Sequence, residues 1–175
     1  MSRATASPTL KRREFMDAVR DACLAALPEE RRVFHSRRTM NLLKIHYNEN
    51  FRIHYELMIV AEKGLIELGL HFEDGPESTA RLLEFFDRAV IEIKHELGQQ
   101  VELERWTKSW GHLFEVHRLE PLTRDLAGSL GRRLAQMIVT LQPLLDEAFE
   151  LGLVPVEPRP GSGRSRFRSR RGART

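Results

Sequence analysis

Histidine and glutamate occur two residues apart at three places in this chain of 175 residues. The three pairs are His54-x-Glu56, His71-x-Glu73 and Glu115-x-His117. In a β-strand, residues at this spacing point to the same face, with Cβ atoms about 7 Å apart. Neutral imidazole and carboxylate are ligands that zinc, iron and manganese accept. The first two pairs are therefore a candidate metal site.

Two other interpretations fit the same residues. Polar side chains that alternate along a strand can simply face solvent and pair loosely. The same face can instead contact a protein partner, with histidine and aromatic side chains as amphipathic contacts. The candidate partner-binding residues are His46, His54, Glu56, Glu67, His71, Trp106, Trp110 and His117. The stronger metal signature, His-Glu-x-x-His on a helix, does not occur in the sequence, so all three interpretations stay open.

Three further side chains have both a structural and a functional interpretation. Trp106 and Trp110 flank a predicted turn, where they either close the end of the sheet on the last helix or contact a partner. Cys23 falls on the apolar stripe of the first predicted helix. We therefore expect it to be an inert thiol in the core rather than a nucleophile.

The hydrophobic pattern predicts the sheet that would bring these residues together. Apolar and polar residues alternate within segments 43–47, 53–59 and 66–72, with turns at Asn48–Asn50 and Glu62–Gly64. This pattern predicts a three-stranded meander. Alternation returns in the segments 101–106 and 110–117, which predicts two more strands.

Helical spacing predicts the remaining elements. Apolar residues recur three and four apart over segments 8–27 and 78–97, and again in a last helix of about 28 residues that opens near Thr123. Residues 28–39 are basic and are predicted to be irregular. The last helix carries a nearly continuous leucine stripe, from which we predict a homodimer.

The predicted order of elements is α-β-β-β-α-β-β-α. This order indicates an α+β fold with a single antiparallel sheet of about five strands and helices on one face. It resembles the element order of small secretion-chaperone-like domains of bacteria, which are binding proteins and often dimers. The resemblance lies in element order alone, so it implies no role for any particular residue.

Charge divides the chain into an acidic body and two basic ends. Residues 158–175 carry seven arginines and residues 1–13 four basic residues, both without an acid, and subtracting these eleven charges from the net charge of +3 leaves −8. We predict a disordered N-terminus at residues 1–7, a single domain at 8–152 and a disordered arginine-rich tail at 153–175. The tail residues predicted to bind nucleic acid without sequence preference are Arg164, Arg166, Phe167, Arg168, Arg170 and Arg171.

Several classes of protein are excluded by what the sequence lacks. A single cysteine rules out an intramolecular disulfide and a zinc ribbon. Glycine-rich phosphate loops and the Gly-x-Ser-x-Gly elbow are absent, so no cofactor is predicted. The metal-binding Glu-x-Lys of restriction-type nucleases occurs only at Glu92-Ile-Lys94, inside a predicted helix. No apolar run is long enough for a transmembrane segment and no secretory signal is evident, which predicts a cytoplasmic protein.

From the sequence alone we predict a small, non-enzymatic binding or adaptor domain with an unknown protein partner. One alternative is a metal-dependent hydrolase that uses His54, Glu56, His71 and Glu73. A second alternative is a nucleic-acid-associated protein that binds through its arginine-rich tail.

Overall fold

The computed structural model describes residues 8–158. The predicted disordered segment 1–7 and residues 159–175 of the predicted tail lie outside the described residues. The elements in chain order are α1 (Arg12–Ala26), β1 (His35–Arg38), β2 (Leu42–His46), β3 (Ile53–Val60), β4 (Leu65–Phe72), α2 (Gly75–Arg88), α3 (Val90–Leu97), β5 (Glu102–Arg105), β6 (Gly111–Arg118) and α4 (Arg124–Glu150).

The strands form one antiparallel sheet in the order β1-β2-β3-β4-β6-β5. The predicted α+β class is confirmed, and the sheet has six strands rather than about five. The additional strand is β1, which lies in the segment predicted to be irregular. Its residues His-Ser-Arg-Arg show no apolar alternation, because an edge strand is held by backbone pairing with one neighbour and needs no buried face.

The helices differ from prediction at two boundaries. The segment predicted as one helix over residues 78–97 is two helices, which meet at Ala89. The apolar spacing continues across this break, so periodicity did not reveal it. Helix α1 begins at Arg12 rather than at residue 8, because the preceding residues are extended: the N–H of Leu10 donates to the carbonyl of Leu122 at 2.7 Å.

The core lies between the sheet and the helices, with α1 packed along α4. Helix α4 has 27 residues, close to the predicted length, and Thr123 caps it by accepting a hydrogen bond from the N–H of Leu126 at 3.2 Å. The leucine stripe of α4 is buried within the chain: Leu130, Leu134 and Leu141 are at most 2% exposed. At Gly131 the two helices come so close that an added Cβ would lie 2.6 Å from the Cβ of Ala22.

The register of the central strands determines which side chains share a face. His54 of β3 lies opposite His71 of β4, and His71 lies opposite His112 of β6. Directly opposed residues of antiparallel strands point to the same side of the sheet. These three histidines therefore share the side away from the helices, which we call the open face.

After α4 the chain remains against the domain. Val154 is 3% exposed, and the side-chain amide of Asn50 donates to the carbonyl of Pro155 at 2.9 Å. No helix between residues 8 and 158 combines the length and the apolar character that crossing a membrane requires.

The close approach at Gly131 predicts opposite effects of the same substitution at two glycines of α4. An alanine Cβ at Gly131 would meet backbone of α1, so Gly131→Ala should lower the free energy of unfolding by about 1–3 kcal/mol. Gly128→Ala meets only the flexible end of Arg132, and it should raise stability by up to about 1 kcal/mol through helix propensity. Urea denaturation of both variants tests this, and equal shifts in the two variants would contradict the packing described.

Candidate metal centre

The side chains at the centre of the open face are shielded from solvent. His54 and Glu56 project from β3 and His71 from β4, and their exposed fractions are 1%, 4% and 1%. Alternation along each strand and the pairing of His54 with His71 bring the three side chains together. Because these side chains are out of solvent, the interpretation as a solvated polar face is wrong at this place.

His54 presents a lone pair to its neighbour Glu56. Its Nδ1 lies 2.9 Å from the carbonyl oxygen of Phe51, which can only accept, so Nδ1 carries the proton. Burial lowers the pKa of His54, and a neutral ring then has no proton on Nε2. That nitrogen lies 3.2 Å from Oε2 of Glu56.

Glu56 and Glu73 share one ammonium group. Nζ of Lys44 lies 3.0 Å from Oε2 of Glu56 and 3.3 Å from Oε2 of Glu73. Burial opposes ionisation of Glu56, yet the positive charge of the neighbouring Lys44 favours the carboxylate and lowers its pKa. The lone pair of His54 therefore faces a carboxylate, and two acceptors this close repel each other unless a cation lies between them.

His71 is the least satisfied side chain of the open face. Neither ring nitrogen has a hydrogen-bond partner among residues 8–158. Nδ1 lies 3.9 Å from Oε1 of Glu73, and Nε2 lies 3.5 Å from Oε1 of Glu67. Burying an imidazole without hydrogen-bond partners lowers the stability of the fold, so such a residue is uncommon in protein cores.

Four side chains direct one ligand atom each toward a common point. His54, Glu56, His71 and Glu73 offer atoms that all lie within 4.8 Å of one another. In a tetrahedral zinc site with bonds of about 2.0–2.2 Å, the ligand atoms are about 3.3–3.6 Å apart. The contacts of 3.2 Å between His54 and Glu56 and 3.9 Å from Glu73 to each histidine bracket that separation. Three separations are thus close to those of a zinc site, and the others lie within 4.8 Å, so the side chains would have to move inward to hold an ion.

A second group of residues supports His71 from its other side. Nδ1 of His112 lies 3.2 Å from Glu67 and Nε2 lies 3.0 Å from Glu104. Burial works against the charged ring, but these two carboxylates raise the pKa of His112. Burial also opposes ionisation of Glu67, yet His112 and His71 lower its pKa to about 2. Oε1 of Glu67, which contacts Nδ1 of His112, also lies 3.5 Å from Nε2 of His71, so Glu67 and Glu73 lie near different ring nitrogens of His71.

Aromatic rings cover the histidines at one end of the open face. The ring of Trp106 stacks on His112 at a centroid distance of 5.5 Å and meets the edge of His71 at 6.1 Å. Phe114 stacks on the other side of His112 at 3.9 Å. Trp110 adjoins Trp106 at 5.8 Å. Trp106 therefore covers the open face rather than closing the sheet on the last helix.

The predicted face of β6 was wrong. Glu115 and His117 were expected beside His54, but they lie opposite Leu68 and Ile66 and so belong to the helix-covered face. Polar residues occur on both faces of this strand, so alternation alone was ambiguous. Leu113 is fully buried and therefore points toward the helices. Because neighbouring residues of a strand point to opposite faces, this position places His112 on the open face.

Glu115 instead forms an ion pair with α4. Its Oε1 accepts a hydrogen bond from Nε of Arg133 at 2.8 Å, and its Oε2 accepts one from Nη2 at 2.6 Å. Its Oε1 also lies 2.8 Å from Nε2 of His117. Burial would raise the pKa of Glu115, but Arg133 and His117 lower it to about 2.

A cleft of about 450 Å³ adjoins the four-residue site. Its lining residues are Arg37, Thr39, Leu42, Lys44, His46, Phe51 and Glu73. Lys44 and Glu73 belong both to the cleft and to the contacts of the site. His46 is at the cleft wall, where its Nδ1 lies 2.7 Å from the carbonyl of Asn48 and its ring stacks on His35.

The remaining candidates are dispersed. Glu67 and Trp106 border the four-residue site, whereas His46 and Trp110 lie farther out and His117 is on the opposite face. Cys23 is buried, and burial raises its pKa to about 12, as expected for an inert thiol. The candidate nucleic-acid residues from Arg164 to Arg171 lie outside the described residues.

Comparisons of the chain with protein-family models, with curated proteins and with solved structures found no match. The resemblance to secretion-chaperone-like domains therefore remains one of element order.

The Glu115–Arg133 pair predicts a specific loss of stability in acid. The pKa of Glu115 is lower in the folded chain than in the unfolded chain, so the stabilisation is complete above the unfolded value and disappears as pH falls toward 2. Glu115→Gln should cost on the order of 3 kcal/mol at pH 7. Denaturation of both proteins between pH 7 and 3 should show this difference shrinking, with the exposed Glu120→Gln as control. A difference independent of pH would contradict the assignment.

His71 has no hydrogen-bond partner among the described residues, whereas His112 contacts two carboxylates, so leucine should affect stability differently at the two positions. The free energy of unfolding is measured with a chelator present, so that no metal is bound. Leucine at position 71 removes two unpartnered buried nitrogens, so His71→Leu should leave stability unchanged or raise it by about 1–2 kcal/mol. His112→Leu removes contacts with two carboxylates and should cost about 2 kcal/mol or more. Equal destabilisation by the two substitutions would show that His71 has a structural role that its contacts do not reveal.

Proposed function

We propose that this protein is a divalent-metal-binding domain and that zinc suits its site best. The observation that carries the proposal is the convergence of four acceptor atoms, from the buried side chains of His54, Glu56 and His71 and the partly buried side chain of Glu73. Two imidazoles and two carboxylates form a set that zinc accepts in tetrahedral geometry. The residues come from two adjacent strands and the loop end of β4, so the backbone holds them close together before any metal arrives.

Charge supports a cation at this point. Two carboxylates share the single ammonium of Lys44, and burial lowers the pKa of His54, which disfavours a positive charge on its ring. The buried cluster therefore carries an excess of negative charge, which is costly unless it is compensated. A divalent ion bound to the carboxylates supplies that compensation.

The contacts behind each histidine support the same proposal. Metal-bound histidines usually donate their second ring N–H to a carbonyl or a carboxylate, which fixes the ring and its tautomer. His54 faces the carbonyl of Phe51 in this way, so its ring is oriented with Nε2 toward the site. The carboxylate of Glu67 lies 3.5 Å from Nε2 of His71 without a hydrogen bond, which places it where it could accept one when a metal fixes the ring.

A binding role fits this set of residues better than catalysis. Four protein ligands complete a tetrahedral shell, as in structural zinc sites, whereas catalytic zinc keeps a position for water. The metal-dependent hydrolase is a second candidate that uses the same four residues. It requires one carboxylate to leave the metal so that a water molecule can bind in its place. The accessible cleft beside Glu73 is the feature that favours it.

The central prediction is that the purified protein binds one zinc ion per chain. The His54→Ala/His71→Ala double variant should lose stoichiometric metal because it removes both imidazole ligands. The His35→Ala/His95→Ala variant is the matched control, since it removes two exposed histidines elsewhere. Elemental analysis of untagged protein after equilibration with zinc and desalting measures the outcome.

Two results would contradict the metal proposal. One is full-length protein that retains no zinc, iron or manganese after equilibration. The other is equal metal content in the two double variants, because the metal would then bind elsewhere. Activity against hydrolase substrates in the loaded protein, abolished by the His54→Ala/His71→Ala change, would favour the second candidate.

The predicted partners remain proposals. The leucine stripe that suggested a homodimer is covered by α1, so it gives no further support for self-association. A protein partner at the open face, polyanion binding by the arginine-rich tail and a cytoplasmic location likewise remain predictions. Sedimentation of the full chain tests the homodimer. Nucleic-acid titration of the full chain, compared with a chain that ends at Glu157, tests polyanion binding by the tail.

A further inference from the structure

Two basic side chains, those of Arg37 and Lys44, line the cleft beside the proposed metal centre, and they differ in their contacts. Arg37 and Lys44 are directly opposed in the pairing of β1 with β2, so both side chains lie on the open face. The side chain of Lys44 contacts Glu56 and Glu73, whereas the guanidinium group of Arg37 makes no hydrogen bond or ion pair within the part of the chain that the structure describes. A guanidinium group without a partner at the wall of a cleft is available to an anion.

Metal binding would change the charge balance of the cleft. Without metal, the positive charges of Arg37 and Lys44 are matched by the carboxylates of Glu56 and Glu73. A divalent ion on those carboxylates leaves two positive charges in excess. It also competes with Lys44 for the same oxygen atoms, which releases the ammonium toward the cleft.

Two of the other residues that line the cleft are apolar. Leu42 lies on one side, and the ring of Phe51 is 54% exposed at the rim. An exposed ring of this size beside a cationic group suits a ligand with one charged end and one apolar end.

We infer that the metal-loaded protein binds a small molecule with an oxyanion group and an apolar body in this cleft. Arg37 and Lys44 bind the oxyanion, and Phe51 and Leu42 contact the apolar body. This inference rests on the proposed metal function, since the ion creates the positive excess. The two binding events are coupled, so anion and metal each raise the affinity for the other by the same factor.

Calorimetric titration of the full chain tests the inference, with phenylphosphonate and benzoate as probes for phosphate-type and carboxylate-type heads. We expect at least one probe to bind the zinc-loaded, desalted protein, and to bind the metal-free protein about tenfold more weakly. Inorganic phosphate and benzyl alcohol should bind more weakly than the preferred probe, because each lacks one of its two parts.

Arginine variants identify the site. Arg37→Met should weaken binding of the preferred probe by on the order of tenfold. Arg118→Met removes an exposed arginine from the end of β6 and should leave binding unchanged. Zinc affinity measured with and without the probe should change by the factor seen for the probe itself.

The outcomes separate this inference from the metal proposal. Zinc binding at one ion per chain, with probe affinity that is absent, independent of the metal or unaffected by Arg37→Met, would overturn the anion site alone. A protein that binds no zinc would overturn both. Equal binding of benzyl alcohol and the anionic probes would also overturn the anion site, because the apolar walls would then account for the affinity.

Discussion

The candidate site depends on the pairing register of β3 with β4. This register places His54 opposite His71 and puts both on the face away from the helices. A shift by one residue would turn every side chain of a strand to the other face and would exchange the histidines with core leucines. Leu57, Leu68 and Leu70 oppose such a shift, since all three are fully buried under the helices. The apolar core therefore fixes the geometry of the polar cluster on the opposite side.

The polar cluster itself contributes little to folding. His71 buries two ring nitrogens without partners, and the lone pair of His54 faces the carboxylate of Glu56. Such contacts lower stability, and they persist only where the surrounding structure is strong enough to hold them. Buried polar groups that lack favourable partners, but are held in place by the rest of the fold, are typical of functional sites. A bound divalent ion would convert the same contacts into favourable ones.

Much of the fold was predictable from alternation and helical spacing. The class, the single antiparallel sheet, the helices on one face and the turn at Gly64, whose φ is +64°, all follow from the sequence pattern. Strand β1 was not predictable in this way, because His35–Arg38 pairs at a sheet edge without an apolar face. The break at Ala89 was also hidden, because the apolar spacing is the same on both sides of it.

The candidate site was predictable in its residues but not in its burial. The spacing His-x-Glu on two neighbouring strands identified His54, Glu56, His71 and Glu73. The contribution of β6 was assigned to the wrong face, so His112 and its link through Glu67 to His71 were missed. The ring of Trp106 covers His71 and His112, and such a contact depends on tertiary structure that no local pattern contains.

Anomalous diffraction from a crystal of the full chain equilibrated with zinc would locate the ion on the open face. We expect one strong peak bonded to Nε2 of His54 and Nδ1 of His71, with carboxylate oxygens of Glu56 and Glu73 completing the shell at about 2.0–2.2 Å. A peak on the side of His71 that faces Glu67 and His112, or no peak on the open face, would contradict the proposed metal site.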